Sequence, residues 1–77
     1  MAFEKVQQVI VEQMAVAPES ITPETRFQQD LNADSLDIFQ IISELEDIFG
    51  MEFDSDDASK ITTVGDAAQY IQKALGA

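Results

Sequence analysis

An all-α fold is predicted for this sequence: a small bundle of three main helices plus one short helix, with a long loop between the first and second. Three observations lead there. Apolar residues recur at spacings of three and four in three separate stretches. Capping residues and glycines stand where those stretches begin and end. No run alternates apolar and polar residues as a half-buried strand would, and no repeat or low-complexity segment competes. With 77 residues, 45% of them hydrophobic, a single domain over 1–77 is expected. It lies near the lower size limit for a self-sufficient core.

Phe3, Val6, Val9, Ile10 and Met14 mark the first amphipathic helix, about Ala2 to Met14, with Glu4, Lys5, Gln8 and Glu12 on its outer face. From Ala15 to Ala33 runs the long connection, where Pro18 and Pro23 interrupt helix and Ser20, Thr22 and Thr25 suit turns. So long a loop needs anchors, and Ile21, Phe27 and Leu31 are expected in the core, with a short helical turn from Phe27 to Leu31. The second helix spans Ser35 to Phe49 and stops at Gly50. Phe53 then points inward, Ser55-Asp56-Asp57 caps a short helix to about Lys60, and Ile61 points inward. Thr63 caps the last helix, with Asp66 three residues on. Its inner stripe is Val64, Ala67, Ala68, Ile71, Ala74 and Leu75, Tyr70 is part-buried with its hydroxyl near the surface, and Gly76 closes it.

The stretch Asn32-Ala33-Asp34-Ser35-Leu36-Asp37 carries the functional reading. Asp34 suits an N-cap, and Asp37 adds an acid to the first turn. Ser35 then stands on the surface beside free backbone N–H donors, where a phosphate ester would be stabilised. At about 100° per residue, Ile38, Ile41, Ile42, Leu45, Ile48 and Phe49 fall in one arc of about 120°. Leu36 falls nearly opposite it and Phe39 on the Ser35 side, and the two form a small exposed patch next to Ser35 of the kind that meets partners. Single exposed apolar residues are also common, and Asp-Ser-Leu alone is a weak signal.

Composition excludes much chemistry. The chain has no His and no Cys, so it has no serine–histidine–aspartate triad, no thiol nucleophile and no histidine or thiolate metal site. Fifteen acids oppose Lys5, Arg26, Lys60 and Lys73 for a net charge of −11, with ten acids and no base between Asp30 and Asp57. Nucleic acid and anionic membranes are repelled, and basic protein surfaces are steered in. With no secretory signal and no apolar run of about 18 residues, a soluble cytoplasmic protein without membrane insertion is expected. Asp30-x-Asn32-x-Asp34 opens like a calcium-binding loop. However, Ser35 stands where that loop needs Gly and Ile41 where it needs a bidentate Glu. No metal site is assigned.

Taken together, Phe27-x-x-Asp30-Leu31-x-Ala33-Asp34-Ser35-Leu36-Asp37, Leu45-Glu46-x-x-Phe49, Lys60-Ile61-Thr62-Thr63-Val64 and Tyr70-Ile71 resemble the free-standing acyl carrier proteins of type II fatty acid synthesis. The resemblance covers nearly the whole chain. It implies a non-catalytic, monomeric carrier whose Ser35, flanked by Asp34 and Leu36, receives 4′-phosphopantetheine from coenzyme A through a separate holo-carrier-protein synthase, a phosphopantetheinyl transferase. Growing acyl chains would ride on that arm as thioesters and fold back into the bundle. Leu36, Asp37, Phe39, Glu44, Glu46 and Asp47 would dock the basic surfaces of fatty acid synthesis enzymes and acyltransferases. Asn32 stands where Gly is common but tolerates a left-handed backbone. Gln40 replaces a common Glu, Ser43 a common apolar docking residue, and Phe39 is larger than the usual aliphatic. Ile38 replaces a small hydroxyl residue, and Ile48 replaces a common acid and should extend the buried stripe. The docking changes leave open a carrier of a polyketide or specialised lipid pathway. A third reading, from another class, is an unmodified acidic interaction module or calcium binder, which tight stoichiometric calcium binding in calorimetry would favour.

Self-repulsion among the acids opposes the compact state. Added salt or millimolar divalent cations should therefore raise the thermal midpoint. A melt indifferent to ionic strength would contradict this.

Overall fold

A computed structural model describes residues 2–76. The order is α1 (Ala2–Met14), a 3-10 turn (Pro18–Ser20), α2 (Ser35–Phe49), α3 (Ser55–Ser59) and α4 (Val64–Ala74), with no strand among the described residues. The predicted three main helices and one short helix are present, with the long loop between α1 and α2.

Helix α1 is the hub, packing on both α2 and α4. Val6 and Ile10 from α1, Ile41 and Leu45 from α2, and Val64 and Ile71 from α4 are essentially sealed from solvent. Burying each such side chain contributes about 1.5–3 kcal/mol. Ala67 and Ala68 complete the buried stripe of α4. Phe3, Ile38, Phe49 and Phe53 pack against this core only half-buried.

The long loop is anchored as its apolar residues require. Ile21 and Phe27 are buried and Leu31 is half-buried against the core. The loop is also sewn to the start of α4: Phe27 N–H donates to Thr62 O (3.0 Å), Val64 N–H to Thr25 O (2.9 Å) and Gly65 N–H to Pro23 O (2.9 Å). Thr25 is buried, and its hydroxyl accepts the Thr22 N–H at 2.8 Å. From α1, Gln7 Nε2 donates to Pro18 O at 2.8 Å. The loop's carbonyls and amides thus find partners that a surface loop would leave to water.

Several expectations are corrected or extended. Phe27 to Leu31 is a turn closed by Asp30 and Leu31 N–H on Arg26 O, not a helix. Pro18 starts a 3-10 turn rather than only interrupting helix, because its fixed φ suits a first helical position where no donor is needed. Ile48 is 45% exposed, and Ala74 and Leu75 are exposed too. Ile48 lies in the last turn of α2, Ala74 in the last turn of α4 and Leu75 at the C-cap of α4. The apolar stripe continues there in sequence, but the element it would pack against does not. Chain reversals occur at Asn32 (φ 58°), as expected, and at Ala15 (φ 56°), which ends α1 without a glycine.

The α4 start is a reciprocal cap. Thr63 Oγ1 accepts Asp66 N–H at 3.1 Å, and the Asp66 carboxylate accepts the N–H groups of Thr62 and Thr63, both at 3.2 Å. The Thr62 N–H, chiefly, holds the Asp66 carboxyl below its ordinary range despite partial burial. A depressed folded-state pKa gives stability that is present above the unfolded value and lost as pH falls through the folded one. In urea melts, the gap between wild type and Asp66→Asn should be widest near neutral pH and narrow below about pH 4. Gly65 is hemmed in by the loop, and an added Cβ there would sit 2.8 Å from Pro23 O. Gly65→Ala should lower stability by about 1–3 kcal/mol, although alanine is the better helix former. An unchanged urea midpoint would show that the loop yields freely.

Candidate functional site

Ser35 is the first residue of α2, and its neighbours determine how it is presented. Asp34 is the N-cap in extended backbone. Its Oδ1 accepts Asp37 N–H at 2.9 Å, and Asp37 Oδ2 accepts Asp34 N–H at 3.3 Å. Both flanking acids are therefore turned onto the backbone. Ser35 is exposed, and no hydrogen bond among the described residues engages its hydroxyl. The Ser35 and Leu36 N–H groups likewise have no protein acceptor among the described residues, so two donors and the positive end of the helix face solvent beside that oxygen. Ala33, buried and bonded through its N–H to Phe27 O at 2.9 Å, ties the start of the helix to the core.

One side of Ser35 opens on a groove of about 460 Å³. Phe27, Ile38, Phe39, Ile42, Ala58 and Ile61 form its apolar lining, with Arg26, Gln28 and Gln29 among its polar residues. The long loop, α2, α3 and the approach to α4 all contribute wall. The arrangement offers one accessible hydroxyl, a pair of free donors for an anionic ester, and adjacent apolar space.

The outer face of α2 presents the expected patch. Leu36 is 71% and Phe39 67% exposed, while Glu44 and Asp47 are exposed acids. The other two residues read as docking acids also have work inside the molecule. Asp37 closes the cap, and Glu46 Oε2 accepts Phe53 N–H at 2.8 Å. Gln40 Oε1 is tied to Gln13 Nε2 of α1 at 2.9 Å. In the calcium-like stretch, Asp30 accepts Arg26 N–H at 2.8 Å and Arg26 Nε at 3.3 Å, which holds its carboxyl below the usual range. Asp30 and Asp34 are thus spent on backbone donors rather than turned toward a common ion.

Sequence reasoning did not find the tie from Glu46 to Phe53, nor its companion from Asp54 N–H to the Tyr70 hydroxyl at 3.1 Å. The Phe53 and Tyr70 rings also stack, with centroids 4.7 Å apart. A helical wheel ranks faces within one helix and carries no signal for bonds between elements. Only the inward Phe53 and the surface-seeking Tyr70 hydroxyl pointed that way.

Comparison with known proteins gives two findings. The family described as the phosphopantetheine attachment site matches residues 4–71. Among solved structures, the acyl carrier protein from Enterococcus faecalis, described for the structural components behind its high thermal stability, matches with a TM-score of 0.82. It is 37% identical, over 95% of this chain and 92% of that one.

Proposed function

This chain belongs to the phosphopantetheine attachment site family, as an acyl carrier protein, and we propose that Ser35 is the residue that bears the covalent arm. The observation that carries the assignment is a serine hydroxyl that is exposed, unbonded among the described residues and placed at the capped start of α2, on the lip of an apolar groove. The site fits such a group. The free N–H groups of Ser35 and Leu36 are donors for phosphodiester oxygens, and the helix dipole favours the negative charge. Asp34 and Asp37 oppose that charge, but each carboxylate already accepts a backbone N–H.

When attached, 4′-phosphopantetheine supplies the thiol that a chain without cysteine lacks. The residues of the chain do the rest. In a transfer run by a separate phosphopantetheinyl transferase, Ser35 Oγ would give up its proton to that enzyme and bond to the phosphorus that bears the pantetheine of coenzyme A, while the pyrophosphate P–O bond breaks and adenosine 3′,5′-bisphosphate leaves. Phe27, Ile38, Ile42 and Ile61 offer an acyl tail a surface away from water. Leu36 and Phe39 give partners an apolar contact, and Glu44 and Asp47 give them charge. Such exposed pairs each contribute little, so association is fast, weak and salt-sensitive.

The cargo we assign is the growing chain of fatty acid synthesis, with no catalytic step performed by this chain and the cytoplasm as its compartment. Likeness to an acyl carrier protein supports the cargo. No helix among the described residues is long and apolar enough to cross a membrane. A polyketide or specialised lipid pathway is the second reading. It is favoured by the bulky, 67% exposed Phe39 and by Gln40 turned to Gln13 on the docking helix.

Intact mass spectrometry after incubation with coenzyme A and a phosphopantetheinyl transferase should show addition of one arm, absent in Ser35→Ala. A gain that survives Ser35→Ala would move the site elsewhere, and no gain with a range of competent transferases would reject the reading. The acyl group recovered on the native protein separates the two pathways.

A further inference from the structure

We propose that the free edge of the Arg26 guanidinium receives a terminal carboxylate, which fits the groove beside Ser35 for acyl groups that end in an acid. The proposal rests on the reading of Ser35 as the bearer of the arm and of the groove as the seat of what the arm carries. The first observation is where the cation stands. The chain has four bases, and Arg26 is the only one among the described residues that lines this groove. A hydrocarbon tail gains nothing from a guanidinium in its seat. A carboxylate does, because an unpaired charge in an apolar groove is costly. From Asp30 to Asp57 it would otherwise meet ten acids and no base.

Arg26 is held in place through both its backbone and its side chain. Its backbone bridges to Thr63, the next N–H, of Phe27, donates to Thr62 O at 3.0 Å, and its own carbonyl accepts the Asp30 and Leu31 N–H groups. Its side chain lies side-on to Asp30, with Nε 3.3 Å from Oδ2 and Nη2 3.5 Å from Oδ1. A guanidinium has a second, end-on edge made by Nη1 and the other Nη2 proton. No hydrogen bond among the described residues uses Nη1, and the side chain is 53% exposed. Asp30 therefore fixes the plane of the group and leaves an edge that matches two carboxylate oxygens.

The groove's other polar residues fit the same ligand. Ser59 Oγ and Thr62 Oγ1 already donate, to Asp56 O and to the Asp66 carboxylate. Gln28 and Gln29 are exposed lining residues, and their amides add neutral donors on the Arg26 side of the groove.

The test loads the full chain with adipoyl- or hexanoyl-coenzyme A, using a phosphopantetheinyl transferase that accepts acyl-coenzyme A. The two six-carbon cargoes differ only at the end, carboxylate against methyl. Intact mass establishes loading before any melt. The adipoyl-minus-hexanoyl difference in thermal midpoint should fall by about 2–4 °C from wild type to Arg26→Gln at low salt. Arg26→Lys, which keeps the charge without the fork, should restore part of it. Loss of the bond to Asp30 lowers both loaded forms alike, so this difference does not respond to it. In wild type, the adipoyl cargo should shift the Arg26 Nε–H resonance and the hexanoyl cargo should not, a readout that needs no variant to fold. An unchanged midpoint difference in Arg26→Gln, or equal Nε–H shifts with both cargoes, would overturn the proposal. So would a shift already complete with the bare arm, which would give the edge to the phosphodiester instead. Absent loading would sink the Ser35 assignment together with this one, whereas loaded chains that do not distinguish the cargoes sink this one alone.

Discussion

Reciprocal hydrogen bonds between Asp34 and Asp37 close the first turn of α2 without using Ser35, and the site depends on that closure. A helix start has several backbone donors to satisfy. If Ser35 itself had been the cap, its oxygen would have been turned inward to accept one of them. With the cap one residue earlier, the serine becomes the first helical residue and its side chain points outward, free. The remaining unsatisfied donors lie beside it. One shift in capping position thus separates a structural serine from a presentable one.

Acids are used in the same way throughout the molecule. A chain with net charge −11 and only a small core has little stability to lose to self-repulsion. Asp30, Asp34, Asp37, Glu46, Asp54 and Asp66 each accept a backbone N–H. Asp34, Asp54 and Asp66 do so at helix starts, where the dipole welcomes negative charge. Part of the negative field thus stabilises local structure. The acids left free, such as Glu44 and Asp47, supply a field with which basic partners can be met.

Local chemistry was legible in the sequence, and tertiary chemistry was legible only in outline. Ala2–Met14 could be bounded from its apolar spacing, and the α2 and α4 starts from Asp34 and Thr63, because caps and periodicity are properties of neighbouring residues. The exposed Leu36 and Phe39 followed from the wheel for the same reason. Where the stripes stop did not: Ile48 and Leu75 repeat the period faithfully, yet each is left about half exposed. Pro18 was read for what it forbids and not for the turn it can begin. The groove could not be seen, since its wall combines the long loop, α2 and α3, and its shape is set by packing that no single stretch encodes.

Uneven stability follows from this division. The packing of α1 on α2 and α4 takes nearly all the sealed residues, and the loop from Ile21 to Phe27 is sewn to α4 by three backbone bonds. Helix α3 has no buried side chain and is flanked by bonds to one carboxylate and one phenol. A protein opens first where buried contacts are few and backbone bonds are exposed. In this fold that region is a wall of the groove next to Ser35, so the site can change shape while the scaffold that presents the serine stays fixed. Seventy-seven residues achieve that asymmetry by leaving one short helix outside the core.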